Sequence, residues 1–150
     1  MLPGMTENPQ APSSIRGLPS WLLGRAAARG RALVADALAR HDTKMWHHVV
    51  LSALADLGPV AQAELGRAVA LDPKDVVGVL NDLQAAGLVV RTPDPADRRK
   101  NAVRLTAAGE QRLGECTVAG QEANDRLLEP LSADERVQFL DMLRRVSGVA

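Results

Sequence analysis

The chain has 150 residues, a formal net charge of zero at pH 7 and a single cysteine. That length fits one domain, the lone Cys116 excludes an internal disulfide framework, and no apolar run reaches the length of a membrane span. Apolar residues make up 46% of the chain but aromatics only 2%, so the core must be built from Leu, Val and Ala, which suits packed helices better than a β-sandwich.

Residues 1–15 contain Pro3, Pro9 and Pro12 and no apolar core. They read as a disordered arm and not as a signal peptide, so a soluble cytoplasmic protein is expected. Residues 16–150 read as a single domain. The first predicted helix covers residues 20–40, with Leu22, Ala26, Leu33 and Ala37 as its buried stripe and Trp21, Arg25 and Arg29 on another face. The second covers residues 44–57, apolar at Trp46, Val50, Ala53, Leu54 and Leu57, and Gly58-Pro59 stops it. A short third helix spans residues 61–70, with Leu65 and Val69 inward.

The fourth helix has the clearest signals. Asp72 is an N-cap, Pro73 fits the first helical position, Asp75 suits the positive end of the dipole, and Gly87 supplies a left-handed stop. Its buried stripe is Val76, Val79, Leu80 and Leu83. Only a few residues join it to the third helix, as in a helix-turn-helix. Next come two short strands, residues 88–91 and 102–105. The loop between them carries Pro93, Asp94 and Pro95 and ends in Asp97-Arg98-Arg99-Lys100. A two-stranded ribbon with a basic tip is a tool for reaching into a nucleic-acid groove. Helix followed by basic hairpin is the order of a winged helix-turn-helix, here residues 44–106.

After the hairpin, Thr106 caps a long fifth helix over residues 107–128, with a seam of Leu113, Cys116, Gly120, Ala123 and Leu127. Pro130 breaks the chain. Ser132-Ala133-Asp134-Glu135 is a capping box, and a sixth helix then runs to residue 147, with Val137, Leu140, Leu143 and Arg144 at helical spacing. The fold class is therefore mainly α with a small β-hairpin wing. The helices of residues 16–43 and 107–150 carry more apolar surface than one small module needs, which points to dimerisation, with C2 pairing as the default.

The neutral charge conceals sorting by segment. Residues 16–44 hold six bases and two acids, and residues 91–106 hold five and two; residues 45–90 hold two bases and five acids, and residues 107–150 hold five and eight. A neutral protein sorted in this way can bind DNA through a local patch.

The run Asp97, Arg99, Val103, Leu105 and Thr106 fits the wing pattern Asp-x-Arg-x-x-x-Val-x-Leu-Thr, and Gly58-Pro59, Gln62-Ala63-Glu64-Leu65 and Ala86-Gly87-Leu88-Val89 stand in matching order. In these motifs residues 18–147 resemble the MarR family of transcriptional regulators. The resemblance implies a mainly α homodimer with one winged helix-turn-helix per protomer, acting as a repressor on a palindromic operator and releasing DNA on binding a small phenolic or other anionic effector. The chain departs from the family at Ala61, where Ser or Thr often caps the third helix, and at Lys74 and Gly78, where the family often has Ser or Thr and Arg.

The expected DNA-contacting residues follow. Arg98, Arg99, Lys100 and Arg91 supply phosphate attraction, with Arg99 placed in the minor groove by its position in the wing motif and Asp97 orienting Arg99 or a neighbouring base, as in the family. On the fourth helix, Lys74 suits a guanine edge, Asp75 a cytosine amino group and Val77 a thymine methyl, beside Pro73, while Gly78 permits close backbone approach. Gln62 is placed to donate to a phosphate. A steep salt dependence is expected. Trp21, Arg25, Trp46, His47 and His48 form a candidate site for an anionic aromatic effector, set against the alternative that the tryptophans are core and the histidines packing groups. Adjacent histidines cannot share one helix face, so at most one of His47 and His48 is expected to point inward.

Other chemistry is not expected. Cys116 sits in an apolar seam where a thiol is inert. Adjacent His47 and His48, with His41 and Asp42, make poor chelate geometry, so no metal or cofactor is anticipated. The chain shows no phosphate-binding glycine loop and no nucleophile–base pair, so an enzyme is not expected. The competing reading is a winged helix that contacts proteins without binding DNA, favoured by the acidic balance of residues 45–90 and opposed by the basic wing.

Overall fold

The computed structural model describes residues 11–149. Its elements are α1 (Ser13–Arg16), α2 (Pro19–Ala39), α3 (Met45–Leu57), β1 (Val60–Ala61), α4 (Gln62–Ala68), α5 (Pro73–Ala85), β2 (Val89–Pro93), β3 (Asn101–Leu105), α6 (Ala107–Leu127) and α7 (Ala133–Ser147). Residues 1–10 of the expected arm lie outside the described residues, and its last part forms the one-turn helix α1.

The ends of the elements follow their local chemistry. Asp72 accepts a hydrogen bond from the Lys74 backbone N–H at 2.9 Å. Ser132 and Glu135 close a reciprocal capping box on α7. Ala61 stands at the N-cap of α4 with no side-chain acceptor to offer, a deficit of about 1 kcal/mol against Ser or Thr. Gly87, at φ 74°, turns the chain from α5 into β2. The turn between α4 and α5 places Ala70 at φ 54°, a left-handed conformation that costs a residue with a Cβ about 1 kcal/mol.

Three antiparallel strands form the sheet, in the order β1-β3-β2. Val60 pairs with Val103 and Val89 with Leu105, while Arg91 lies opposite Val103. The two-residue strand β1 was not expected from sequence, since a dipeptide is too short to show alternation.

The main core fills the space between α3, α4, α5 and the sheet. It comprises Val50, Leu51, Leu54, Val60, Leu65, Val76, Leu80, Leu83, Leu88, Val89 and Val103. A second contact joins α2 to α6, where Leu38, Cys116, Ala119 and Ala123 are buried. Of the expected α6 seam, Cys116 and Ala123 are buried in this contact, while Leu113 packs on the main core and Ala119 is buried in place of Gly120, which has open space around it. Gly30 lies so near Leu127 that a Cβ there would sit 3.1 Å from Leu127 Cδ2.

Three expected stripes require correction. On α2, Leu22 and Ala26 are exposed while Leu33 and Ala37 are half-buried. The cause is antiparallel packing: α6 ends at Leu127, opposite Gly30, so the first half of α2 has no α6 alongside it. On α7, Val137 and Leu140 are exposed and the helix buries no residue at all. On α3, Trp46 and Leu57 are exposed at the two ends, and Leu51 is buried instead.

Candidate nucleic-acid interface

The wing loop is ordered by its own acids. Asp94 Oδ1 accepts the Ala96 N–H at 2.8 Å, and Asp97 Oδ1 accepts the Arg99 N–H at 3.1 Å. Across the loop, the Asp94 N–H donates to the Lys100 carbonyl at 2.8 Å. These bonds replace the ladder that the loop cannot have and fix where the three cations stand.

Arg98, Arg99 and Lys100 are all exposed. Arg99 donates from Nε to Asp97 Oδ1 at 3.2 Å and from a terminal nitrogen to Oδ2 at 3.3 Å. Asp97 therefore orients Arg99 within the chain. The Arg99 side-chain bond, then its backbone N–H, then the charge of Lys100 hold the Asp97 carboxyl below the usual carboxylate range. Arg98 and Lys100 have no carboxylate partner among the described residues.

On α5, Pro73, Lys74, Asp75, Val77 and Gly78 are exposed together at the N-terminal half. Open space surrounds the position a Gly78 Cβ would take. A cavity of about 410 Å³ joins this helix to the wing and to α4; Gln62, Arg67, Pro73, Val77, Lys100 and Asn101 are among its walls. Residues from three separate elements thus share one surface. Gln62 is half-buried, and its Oε1 is buried without a hydrogen-bond partner among the described residues. Sequence reasoning missed Arg67, although Ala63, Gly66 and Arg67 stand at helical spacing on the face lining that cavity.

Arg91 is placed differently from the other cations. Alternation along β2 puts it on the same face as buried Val89, toward α5. Its Nε donates to Gln84 Oε1 at 2.7 Å and a terminal nitrogen to Asn81 Oδ1 at 2.6 Å.

None of the five effector candidates lines any of three cavities formed by the described residues. Arg25 stacks over the half-buried Trp21, 5.7 Å from the ring centre. Trp46 is exposed at the first turn of α3. Both histidines are half-buried, on different sides of α3. His47 bonds Asp82 of α5, while burial lowers the His48 pKa. Neither the 410 Å³ cavity, nor the polar cleft between α2 and α6, nor the apolar groove of Leu23, Leu127, Leu131 and Phe139 is lined by any of the five. Among the described residues, no three His, Cys, Asp or Glu side chains cluster to hold a metal ion, and no helix is long and apolar enough to cross a membrane.

A short helix, a turn, a capped second helix and a wing, all on one core, define a winged helix-turn-helix protein, the class that presents a helix and a ribbon to DNA. Comparison narrows the class. Residues 41–100 match the MarR family. The HTH-type transcriptional repressor NicR of Pseudomonas putida is 35% identical over 125 residues, covering 83% of this chain and 79% of NicR. Two solved structures share the fold. BpsR of Bordetella bronchiseptica, whose structure concerns regulation of its DNA binding by 6-hydroxynicotinic acid, has 30% identity and a TM-score of 0.74 over 93% of this chain and all of that one. A cysteine-to-serine variant of MarR from E. coli, solved with operator DNA, has 25% identity and a TM-score of 0.72 over 85% of this chain and 91% of that one. The chain belongs to the MarR family of winged helix-turn-helix transcriptional regulators. It is a regulator of transcription and not an enzyme.

Proposed function

We propose that the protein is a repressor that binds a palindromic double-stranded operator as a homodimer and releases it on binding a small anionic aromatic effector. The observation that carries this reading is the surface shared by Gln62, Pro73, Val77 and Lys100. It sets the N-terminal half of α5 beside the basic wing, so one protomer can enter a major groove and the neighbouring minor groove together. In a C2 dimer the two α5 helices face half-sites about one helical turn, ~34 Å, apart. The unburied helix α7 and the exposed first half of α2 supply apolar surface for that pairing.

Repression and release are supported by the relatives, one named as a repressor and one whose DNA binding is regulated by 6-hydroxynicotinic acid. Arg25 over Trp21 offers a cation and an indole face suited to an aromatic carboxylate. The test is a gel shift on the DNA upstream of the protein's own gene, across a salt series, with Arg99→Ala alongside. Binding as a dimer to a palindrome, weakened by the substitution and by salt, is expected. If neither that DNA nor a pool of random duplexes yields binding at low salt, the reading fails. Arg25→Ala tests the effector site: release that survives the substitution removes Arg25 from it.

A further inference from the structure

The arginines of this fold meet acceptors of several kinds: Arg29 and Arg136 donate to backbone carbonyls and Arg112 to the Thr43 hydroxyl. Arg99, Arg136 and Arg145 each meet a carboxylate, so each gives up part of its field to an internal partner. Arg91 meets two neutral amides, Asn81 and Gln84, and no carboxylate among the described residues. A guanidinium only donates, so both amide oxygens must face it. The two acceptors stand three residues apart on α5, on one helical face, and they take Nε and one terminal nitrogen in a fixed fork. The remaining guanidinium N–H groups and the whole positive charge stay available, and Arg91 is half-buried where β2 meets α5.

The geometry points to Asn81 and Gln84 as positioning residues that hold Arg91, its charge intact, as a preset contact for a DNA phosphate between helix and wing. This rests on the DNA-binding reading above and deepens it. A rigid fork loses little conformational freedom on binding, and neutral partners leave the phosphate as the first anion the guanidinium meets. Each phosphate contact contributes about 0.9 to the slope of log affinity against log salt. Two copies of Arg91 in a dimer therefore account for a slope of about 1.8, equivalent to roughly thirtyfold in affinity at about 0.15 M salt.

The experiment measures affinity across a salt series for the unaltered protein, Arg91→Ala, the pair Asn81→Ala with Gln84→Ala, and all three together. The probe is a duplex selected by the unaltered protein from a random pool, and thermal melting checks that each variant is folded. Arg91→Ala is expected to flatten the slope by about two and weaken binding roughly thirtyfold. The amide pair should reproduce most of that loss, and the triple variant should bind no worse than Arg91→Ala. An amide pair that leaves slope and affinity unchanged overturns the proposal. So does a triple variant that binds much more weakly, because the amides would then touch DNA themselves. Gln84→Glu serves if the pair does not fold. It preserves the hydrogen bond but neutralises the guanidinium, so a folded variant binding as well as the unaltered protein also overturns it. Absence of binding by the unaltered protein fails the repressor reading itself, and this one with it.

Discussion

His47 Nε2 lies 3.1 Å from Asp82 Oδ2, joining α3 to α5. The other ring nitrogen, Nδ1, accepts the Lys44 backbone N–H at 3.2 Å. These two bonds select one neutral tautomer, with the proton on Nε2 and the lone pair on Nδ1. One imidazole thereby caps α3 and anchors α5. His47→Ala removes both bonds and should cost about 1–2 kcal/mol of stability in urea unfolding. Asp82→Asn retains an acceptor and should stay within about 0.5 kcal/mol. Equal losses from the two variants would show that the cap contributes nothing.

His48 sets a pH dependence. Burial holds its folded pKa below 6.5, the ordinary value. As pH falls through that value the unfolded chain takes up a proton before the folded one does, so stability is lost. The contribution is fully present above the ordinary imidazole range and disappears progressively below it. Thermal melts from pH 7.5 to pH 5 should show a falling midpoint that His48→Gln makes flatter. An unchanged slope would place the sensitivity elsewhere.

Two glycines should respond in opposite directions. A Cβ on Gly109 would strike the Leu88 carbonyl at the junction where Thr106 Oγ1 donates to the Gly87 carbonyl and accepts the Gly109 N–H. Gly109→Ala should cost about 1–3 kcal/mol. Gly78, with open space around it, should gain about 1 kcal/mol on replacement by Ala, from helix propensity alone. If DNA approaches the α5 backbone there, Gly78→Ala raises the melting temperature while weakening DNA binding. A gain in both would remove Gly78 from the interface.

Helix α7 exposes Val137 at 71% and Val146 at 71% and buries nothing within the chain. In the homodimer proposed above, Val137→Asp should therefore leave helical circular dichroism unchanged but convert a dimer to a monomer in sedimentation, with DNA affinity falling alongside. A Val137→Asp protein that remains dimeric would move the interface away from α7.

The sequence by itself determined the order of the six longer helices and the two wing strands, though not α1 or β1, and most of their ends, because these depend on local chemistry. Asp72, Ser132 and Thr106 cap their helices wherever those helices pack, and Gly87 turns the chain because it lacks a Cβ. The core of α5 was legible for a related reason, since its periodicity matched the face it buries; on α6 Cys116 and Ala123 matched, but Ala119 is buried where Gly120 was expected. The wing was legible as a basic loop between two strands. Only the tertiary structure decided which apolar stripes have a partner within the chain. Leu22 and Val137 are as apolar as Leu38 but lie beyond the reach of α6 or on a helix that fully buries no residue. It also decided which cations are free. Composition counts Arg91, Arg99 and Lys100 alike, whereas the fold gives one to two amides, one to a carboxylate, and leaves the third exposed. Hydrophobic period and caps are properties of a segment; partnership is a property of the distance between segments.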